Sequence, residues 1–140
     1  MLTGEFRHSV DSKKRIFVPA KLRDELGPCF IVARDIRGPR LKVYSLSGWE
    51  EYIAPIRNQE RKVAEKALRY LHRNASQLSP DAQGRILLPE SLLNYACIKN
   101  EAVVVGCSTY AEIWSAELYD KEIESEDSVE ICDELERFGL

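Results

Sequence analysis

The chain has 140 residues, a net charge of −3 and a hydrophobic fraction of 44%, which is enough for one domain to bury a core without disulfides or a metal. No apolar run is long enough to span a membrane, and the first residues lack the apolar block of a signal peptide, so we expect a soluble cytoplasmic protein. The four cysteines form no C-x-x-C pair, which argues against a zinc or redox motif, and we expect them to be reduced and partly buried.

The first half of the chain alternates short strands with helices. Its predicted elements, in chain order, are a strand at residues 5–10, a polar turn at 11–14, a strand at 15–18, a helix from Pro19 to Leu26, strands at 30–33 and 41–44, a helix capped by Ser45 or Ser47, and a basic helix at 59–73.

The second half repeats this order up to its last helix. Its predicted elements are a strand at residues 76–79, a turn at 81–84, a strand at 85–88, a helix from Pro89, strands at 102–105 and 112–114, a longer helix after them as in the first copy, and an acidic helix at 127–138. The run "EAVVVG" is the strongest strand signal in the chain.

The repetition has a constant offset of 70 residues. "DSKKRIFVP" at 11–19 returns as "DAQGRILLP" at 81–89, and "VYS" at 43–45 returns as "IWS" at 113–115. Because the offset is unchanged over about forty residues, the pattern indicates an internal duplication.

The duplication predicts a single domain over 1–140 in four parts. These are repeat one at 1–57, a connecting helix at 58–74, repeat two at 75–125 and an acidic C-terminal helix at 126–140. One repeat is too small to bury a core by itself, so we expect the two to interlock as a pseudo-twofold barrel. The expected fold class is α+β with a mainly β core.

The repeated phrase has the chemistry of a turn between two strands. The side chains of Asp11 and Asp81 can accept backbone N–H bonds two residues further on, and Gly84 suits a position with positive φ. Pro19 and Pro89 suit helix starts. Ordinary hairpin turns explain all five residues as well as a functional loop does.

Basic residues gather around these turns. Lys13, Lys14 and Arg15 are adjacent, Arg7 precedes the first turn on its strand, and Arg85 follows the second. Residues 1–42 contain ten basic and five acidic residues, whereas residues 117–140 contain ten acidic and two basic ones. A basic body with an acidic tail is a recurrent layout among proteins that bind polyanions.

Three segments resemble the MraZ family, the bacterial regulators of the division and cell-wall gene cluster. They are "MLTGEFRHSVDSKKRIFVPAKLRDELG", "SPDAQGRILLPESL" and "AEIWSAELYDKEI", and the resemblance covers essentially residues 1–125. It implies an AbrB-like swapped-hairpin barrel, ring-shaped homo-oligomers, and binding to short direct repeats in the DNA upstream of the protein's own operon.

The family's D-x-K-G-R loop falls on Asp11, Lys13 and Arg15 in the first copy and on Asp81, Gly84 and Arg85 in the second. Two positions depart from the family pattern: Lys14 replaces the usual Gly, and Gln83 replaces a common Lys. The resemblance and the gathering of basic residues around the turns together give an expected DNA-binding set of Arg15, Lys13, Lys14, Arg85, Arg7 and Gln83.

The function expected from these residues is sequence-specific DNA binding by a nucleoid-associated transcriptional regulator, most simply a repressor. Arginines would read the bases and lysines would hold the phosphates. No catalytic motif is present, so we expect no enzyme activity, cofactor, metal, membrane or small-molecule substrate. The alternative is an AbrB-type interaction module that neutralises a partner toxin, with the acidic helix as a binding surface.

Overall fold

The computed structural model describes all 140 residues as eight strands and six helices. In chain order the strands are β1 (Glu5–Ser9), β2 (Arg15–Phe17), β3 (Phe30–Arg34), β4 (Leu41–Ser45), β5 (Ala75–Leu78), β6 (Arg85–Leu87), β7 (Glu101–Gly106) and β8 (Ala111–Ser115). The helices are α1 (Ala20–Leu26), α2 (Leu46–Arg57), α3 (Arg61–Arg73), α4 (Glu90–Tyr95), α5 (Ala116–Ser125) and α6 (Ser128–Arg137). The predicted order of elements is confirmed.

The strands form one six-stranded antiparallel sheet and one two-stranded ribbon. The order in the sheet is β1-β7-β8-β4-β3-β5, and β2 pairs with β6 in the ribbon. Strand β1 of the first repeat therefore pairs with β7 of the second, while β5 of the second repeat pairs with β3 of the first. Each repeat completes the other's part of the sheet, which confirms the interlocked, swapped-hairpin architecture.

The register of two strand pairs shows where the pseudo-twofold axis lies. Ile16 lies opposite Ile86 in the ribbon, and Lys42 lies opposite Glu112 where β4 meets β8. Both pairs join residues separated by the 70-residue offset. The axis therefore passes through the middle of the ribbon and the middle of the sheet.

The largest part of the core lies between the sheet, the ribbon and the short helices α1 and α4. Its 19 buried side chains include Phe30 and Leu41 from the sheet and Ile16 and Ile86 from the ribbon. Burial of this apolar surface is the main force holding the ribbon on the sheet. The two outer ribbon residues on each strand consequently face away from this core.

The other face of the sheet is covered by helices. Helix α2 packs Trp49 and Ile53 against β3 and β4, and α5 packs Tyr119 against Trp114 of β8. Of the two predicted caps for α2, Ser45 is the one observed, because its hydroxyl accepts a 3.0 Å hydrogen bond from the backbone N–H of Gly48. None of the helices has the length and apolar character that crossing a bilayer requires.

Helix α3 has no counterpart in the second repeat that packs in the same way. The indole N–H of Trp49 in α2 donates a 3.1 Å hydrogen bond to Nε2 of His72, which ties the end of α3 to α2.

The expectation that the cysteines are partly buried is correct for Cys29 and Cys107 and wrong for Cys97 and Cys132, which are exposed. Cys132 is exposed because α6 buries none of its residues.

Candidate nucleic-acid interface

The two repeated turns are small loops at the ends of the ribbon, and an aspartate organises each of them. We call residues 11–14 the first loop and residues 81–84 the second loop. In the first loop, one carboxylate oxygen of Asp11 accepts 2.9 Å hydrogen bonds from the backbone N–H groups of Lys13 and Arg15. Asp81 accepts 2.9 Å bonds from Gln83 and Arg85 in the same way. The predicted Asx-type turns are confirmed.

The bonds from the backbone favour the ionised form of each aspartate. The N–H of Arg15 is the largest cause of the lowered pKa of Asp11, and the N–H of Arg85 is the largest cause of the lowered pKa of Asp81. The salt-linked guanidinium of the same arginine lowers each pKa further. Both carboxylates are therefore charged at neutral pH and hold their loops in one shape.

The fourth position of each loop has a left-handed backbone. Gly84 has φ of +81° and Lys14 has φ of +64°. A Cβ at Gly84 would lie 2.8 Å from Cζ of Arg23, so a larger residue there would have to displace this guanidinium as well as adopt the left-handed conformation. Lys14 adopts the glycine-like conformation with a side chain, and this side chain points a cation into solvent.

The loops are also joined across the axis. Val18 donates a backbone hydrogen bond of 2.9 Å to the carbonyl of Gly84, and Leu88 donates one of 3.0 Å to the carbonyl of Lys14. Each loop is therefore held by the strand that belongs to the other repeat. The two loops therefore form one hydrogen-bonded unit rather than two separate tips.

The arginines lie together on the outer face of the ribbon. Nε of Arg15 donates to Asp11 at 2.7 Å, and Nε of Arg85 donates to Asp81 at 3.0 Å. Nη1 of each arginine lies 3.9 Å from the aspartate of the opposite loop. The side chains remain 25% and 31% exposed. The predicted proximity of the two guanidinium groups is thus observed, at the centre of a ring of alternating charges.

The four charges in this cluster cancel, so its chemistry depends on the groups around it. The Nη1 and Nη2 atoms of Arg15 and Arg85 donate no hydrogen bond within the chain. Their N–H groups are free to bind a bidentate acceptor. Lys13 and Lys14 are exposed in the first loop, whereas Gln83 is exposed and neutral in the second.

Three of the predicted residues lie outside this charged cluster. Arg7 is bound to Asp120 at 2.7 Å and to Glu101 at 3.2 Å, so its guanidinium is engaged by carboxylates of α5 and β7. These bonds raise the pKa of Arg7. Its place in the DNA-binding set remains a prediction. Pro19 and Pro89 immediately precede α1 and α4 and occupy their N-cap positions.

Arg23 is a neighbour of the second loop that the sequence analysis missed. It belongs to α1 of the first repeat. Its Nε donates a 2.8 Å hydrogen bond to the carbonyl of Val18, and its guanidinium lies against Gly84. The swap of hairpins brings a helix of one repeat against the loop of the other. In the sequence Arg23 is simply an arginine four residues after Pro19. Its contact with the second loop can be predicted only when it is known that α1 packs against the loop of the other repeat.

Comparison with known proteins identifies the family. The family model described as "MraZ protein, putative antitoxin-like" matches twice, over residues 1–70 and 71–137. A protein of Clostridium acetobutylicum named "Transcriptional regulator MraZ" is 37% identical over the full length of both chains. Proteins of the same name from Caldanaerobacter subterraneus and Desulforamulus reducens are 35% identical over the full length of both chains and 42% identical over 86% of both. The chain therefore belongs to the MraZ family.

Proposed function

We propose that this chain is a transcriptional regulator that binds double-stranded DNA through the two loops and the outer face of the ribbon. The observation that carries the proposal is the pairing of Arg15 and Arg85 on one exposed face with their terminal N–H groups unused. The names of the relatives support the regulatory role. On this proposal the protein works in the cytoplasm, on the nucleoid.

The aspartates orient the arginines for this task. Asp11 and Asp81 bind Nε of the two guanidinium groups and lie 3.9 Å from Nη1 of the opposite arginine, which fixes both rotamers and leaves the terminal N–H groups without a hydrogen bond. A guanidinium that presents two parallel N–H donors matches O6 and N7 of guanine, or two oxygens of a phosphate. Pre-orientation lowers the entropy that binding would otherwise cost.

The neutral Asp–Arg cluster supplies geometry, and the lysines supply attraction. Lys13 and Lys14 have exposed side chains and no carboxylate partner within the chain, so they are suited to the phosphates on either side of the bases. The first loop then contributes more of the affinity, and the second loop, with Arg85 and the neighbouring Arg23, contributes more of the readout.

A single pair of loops would bind weakly at physiological salt, because each phosphate contact adds little. We therefore propose that the protein acts as a homo-oligomer, closed into a ring, on direct repeats upstream of its own operon. Several subunits then bind one DNA molecule and multiply modest affinities through effective concentration. Repression would follow from occupation of these repeats.

The test compares operator binding by variants in a fluorescence anisotropy titration, with the DNA upstream of the gene and a shuffled duplex of equal length. Arg15→Ala combined with Arg85→Ala should weaken binding to the upstream DNA by at least about thirtyfold, because two bidentate pairs of about 1–3 kcal/mol each would be lost. Lys121→Ala removes an exposed cation of α5 and should leave binding unchanged. Unchanged affinity of the double variant would contradict the proposal.

The alternative function is neutralisation of a partner toxin. It is favoured by the family description, which includes the words "antitoxin-like", and by the fully exposed acidic helix α6. This function predicts a stable complex with the product of a neighbouring gene and no preference for the upstream DNA. The same anisotropy titration, repeated with that gene product present, separates the two functions.

A further inference from the structure

Two apolar surfaces of the chain have nothing packed on them. The first is a groove between α2 and α3 with a volume of about 530 Å³. It is lined almost entirely by apolar side chains, the largest of which are Ile36, Tyr52, Ile56, Val63, Tyr70 and Leu71. Ile36 is 60% exposed and Val63 is 55% exposed. We call this surface the α2–α3 groove.

The second surface is one side of α6. Every residue from Asp120 to Leu140 is exposed, so the helix buries nothing within its own chain. Ile131, Leu135 and Phe138 follow the i, i+4, i+7 spacing and share one side of the helix. A helix of 10 residues is too short to be stable alone in water, so α6 needs a partner for its apolar side.

The charges around the two surfaces are complementary. Helix α3, which forms one wall of the groove, has five basic residues and one acidic residue, a net charge of +4. Of its lysines and arginines only Arg61 forms an ion pair, with Glu65. Helix α6 has four acidic residues and one basic residue, a net charge of −3, and none of them forms an ion pair. Unpaired charge of opposite sign thus flanks both apolar surfaces.

The positions of the two surfaces favour contact between chains. Helix α5 covers β7 and β8, whereas α3 covers β3 and β5 in the other half of the sheet. Only two residues, Glu126 and Asp127, connect α5 to α6. This short connector keeps the start of α6 near α5, and no residue of α6 lines the groove of its own chain, so both surfaces are open to a second copy.

We propose that α6 of one copy binds in the α2–α3 groove of a second copy. Ile131, Leu135 and Phe138 fill the groove, and the α6 carboxylates face Lys62, Lys66 and Arg69. This is the helix-in-groove mode of recognition. Because the helix and the groove are different surfaces, the contact is head-to-tail and produces a closed ring when the rotation between copies is right. The inference rests on the homo-oligomer of the proposed function and assigns its interface.

The experiment breaks each surface separately and then mixes the two variants. Leu135→Glu places a charge on the apolar side of α6 and leaves the α2–α3 groove unchanged. Val63→Glu places a charge in the groove and leaves α6 unchanged. Light scattering should give an assembly of several subunits for the wild type and the 16.0 kDa monomer for each variant. Because one intact helix and one intact groove remain in the mixture, an equimolar mixture should form a dimer of twice that mass.

Val129→Glu is the matched control. Val129 lies on the opposite side of α6 and is 70% exposed, so the same substitution there should leave the assembly unchanged. Circular dichroism checks that all variants stay folded. The inference is overturned if the wild type is monomeric, if both variants keep the wild-type mass, or if the mixture stays monomeric.

The two proposals fail in distinguishable ways. If Lys66→Glu with Arg69→Glu keeps the wild-type mass and loses DNA binding, α3 binds DNA and the docking of α6 is overturned. In that case the role of Arg15 and Arg85 is untouched. If the docking variants dissociate as expected while the Arg15→Ala, Arg85→Ala variant keeps its DNA affinity, the interface stands and the proposed function fails.

Discussion

The first and second loops have the same hydrogen bonds and different charges. The five bonds that define each loop agree in length within 0.3 Å between the two copies. The middle residues differ: Ser12, Lys13 and Lys14 in the first loop, and "AQG" in the second. The shape depends on the aspartate, the arginine and one left-handed residue, so the exposed middle can change its charge without changing the fold.

Of the substitutions that compare the two loops, a charge exchange between them should have the largest effect. Lys13 and Gln83 are equivalent positions, so Lys13→Gln and Gln83→Lys are a matched pair. Lys13→Gln should weaken binding by about three- to tenfold and reduce the dependence of log affinity on log salt by about one unit, since one phosphate contact is lost. Gln83→Lys should do the opposite. DNA titrations at several salt concentrations measure the affinity and its salt dependence. If the wild type and both variants show the same dependence of log affinity on log salt, neither loop contacts a phosphate.

A backbone substitution should separate the loops in stability. Gly84→Ala forces a Cβ into a left-handed conformation and against Arg23, so the free energy of unfolding should fall by about 1–2 kcal/mol. At the equivalent position, Lys14→Gly relieves the same conformational cost but loosens the unfolded chain, so its effect should be within about 0.5 kcal/mol. Urea denaturation compares the two. A larger loss for Lys14→Gly than for Gly84→Ala would reverse the comparison.

Acid should act on the two loops alike and produce the smallest effect. The pKa values of Asp11 and Asp81 are lowered in the folded protein, so their contribution to stability is present above the ordinary carboxyl pKa of about 4 and is lost as pH falls through the folded-state values. Asp11→Asn and Asp81→Asn should each lower the melting temperature at pH 7, and the difference from wild type should shrink below about pH 4. A constant difference at all pH values would contradict the cause given for the shifts.

The fold was largely predictable because its signals are local or repeated. The 70-residue offset identified the duplication, and the burial requirement of one small repeat predicted that the two interlock. The proximity of Arg15 and Arg85 followed from that symmetry. The engagement of Arg7 by Glu101 and Asp120 did not, because it depends on which strand of the second repeat pairs with β1. Arg23 was missed for the same reason: its helix meets the loop of the other repeat.

The pairing of Lys42 with Glu112 shows what covalent fusion of the repeats makes possible. A dimer of two separate, identical half-proteins would place two copies of one residue face to face at this point, and two lysines or two glutamates there would repel. Joining the halves in a single polypeptide lets the two residues on the symmetry axis differ, and here Glu112 lies 3.5 Å from Arg40 while Lys42 lies over the ring of Tyr110. It also lets the two halves of the molecule carry different charges on the same backbone, as the two loops do.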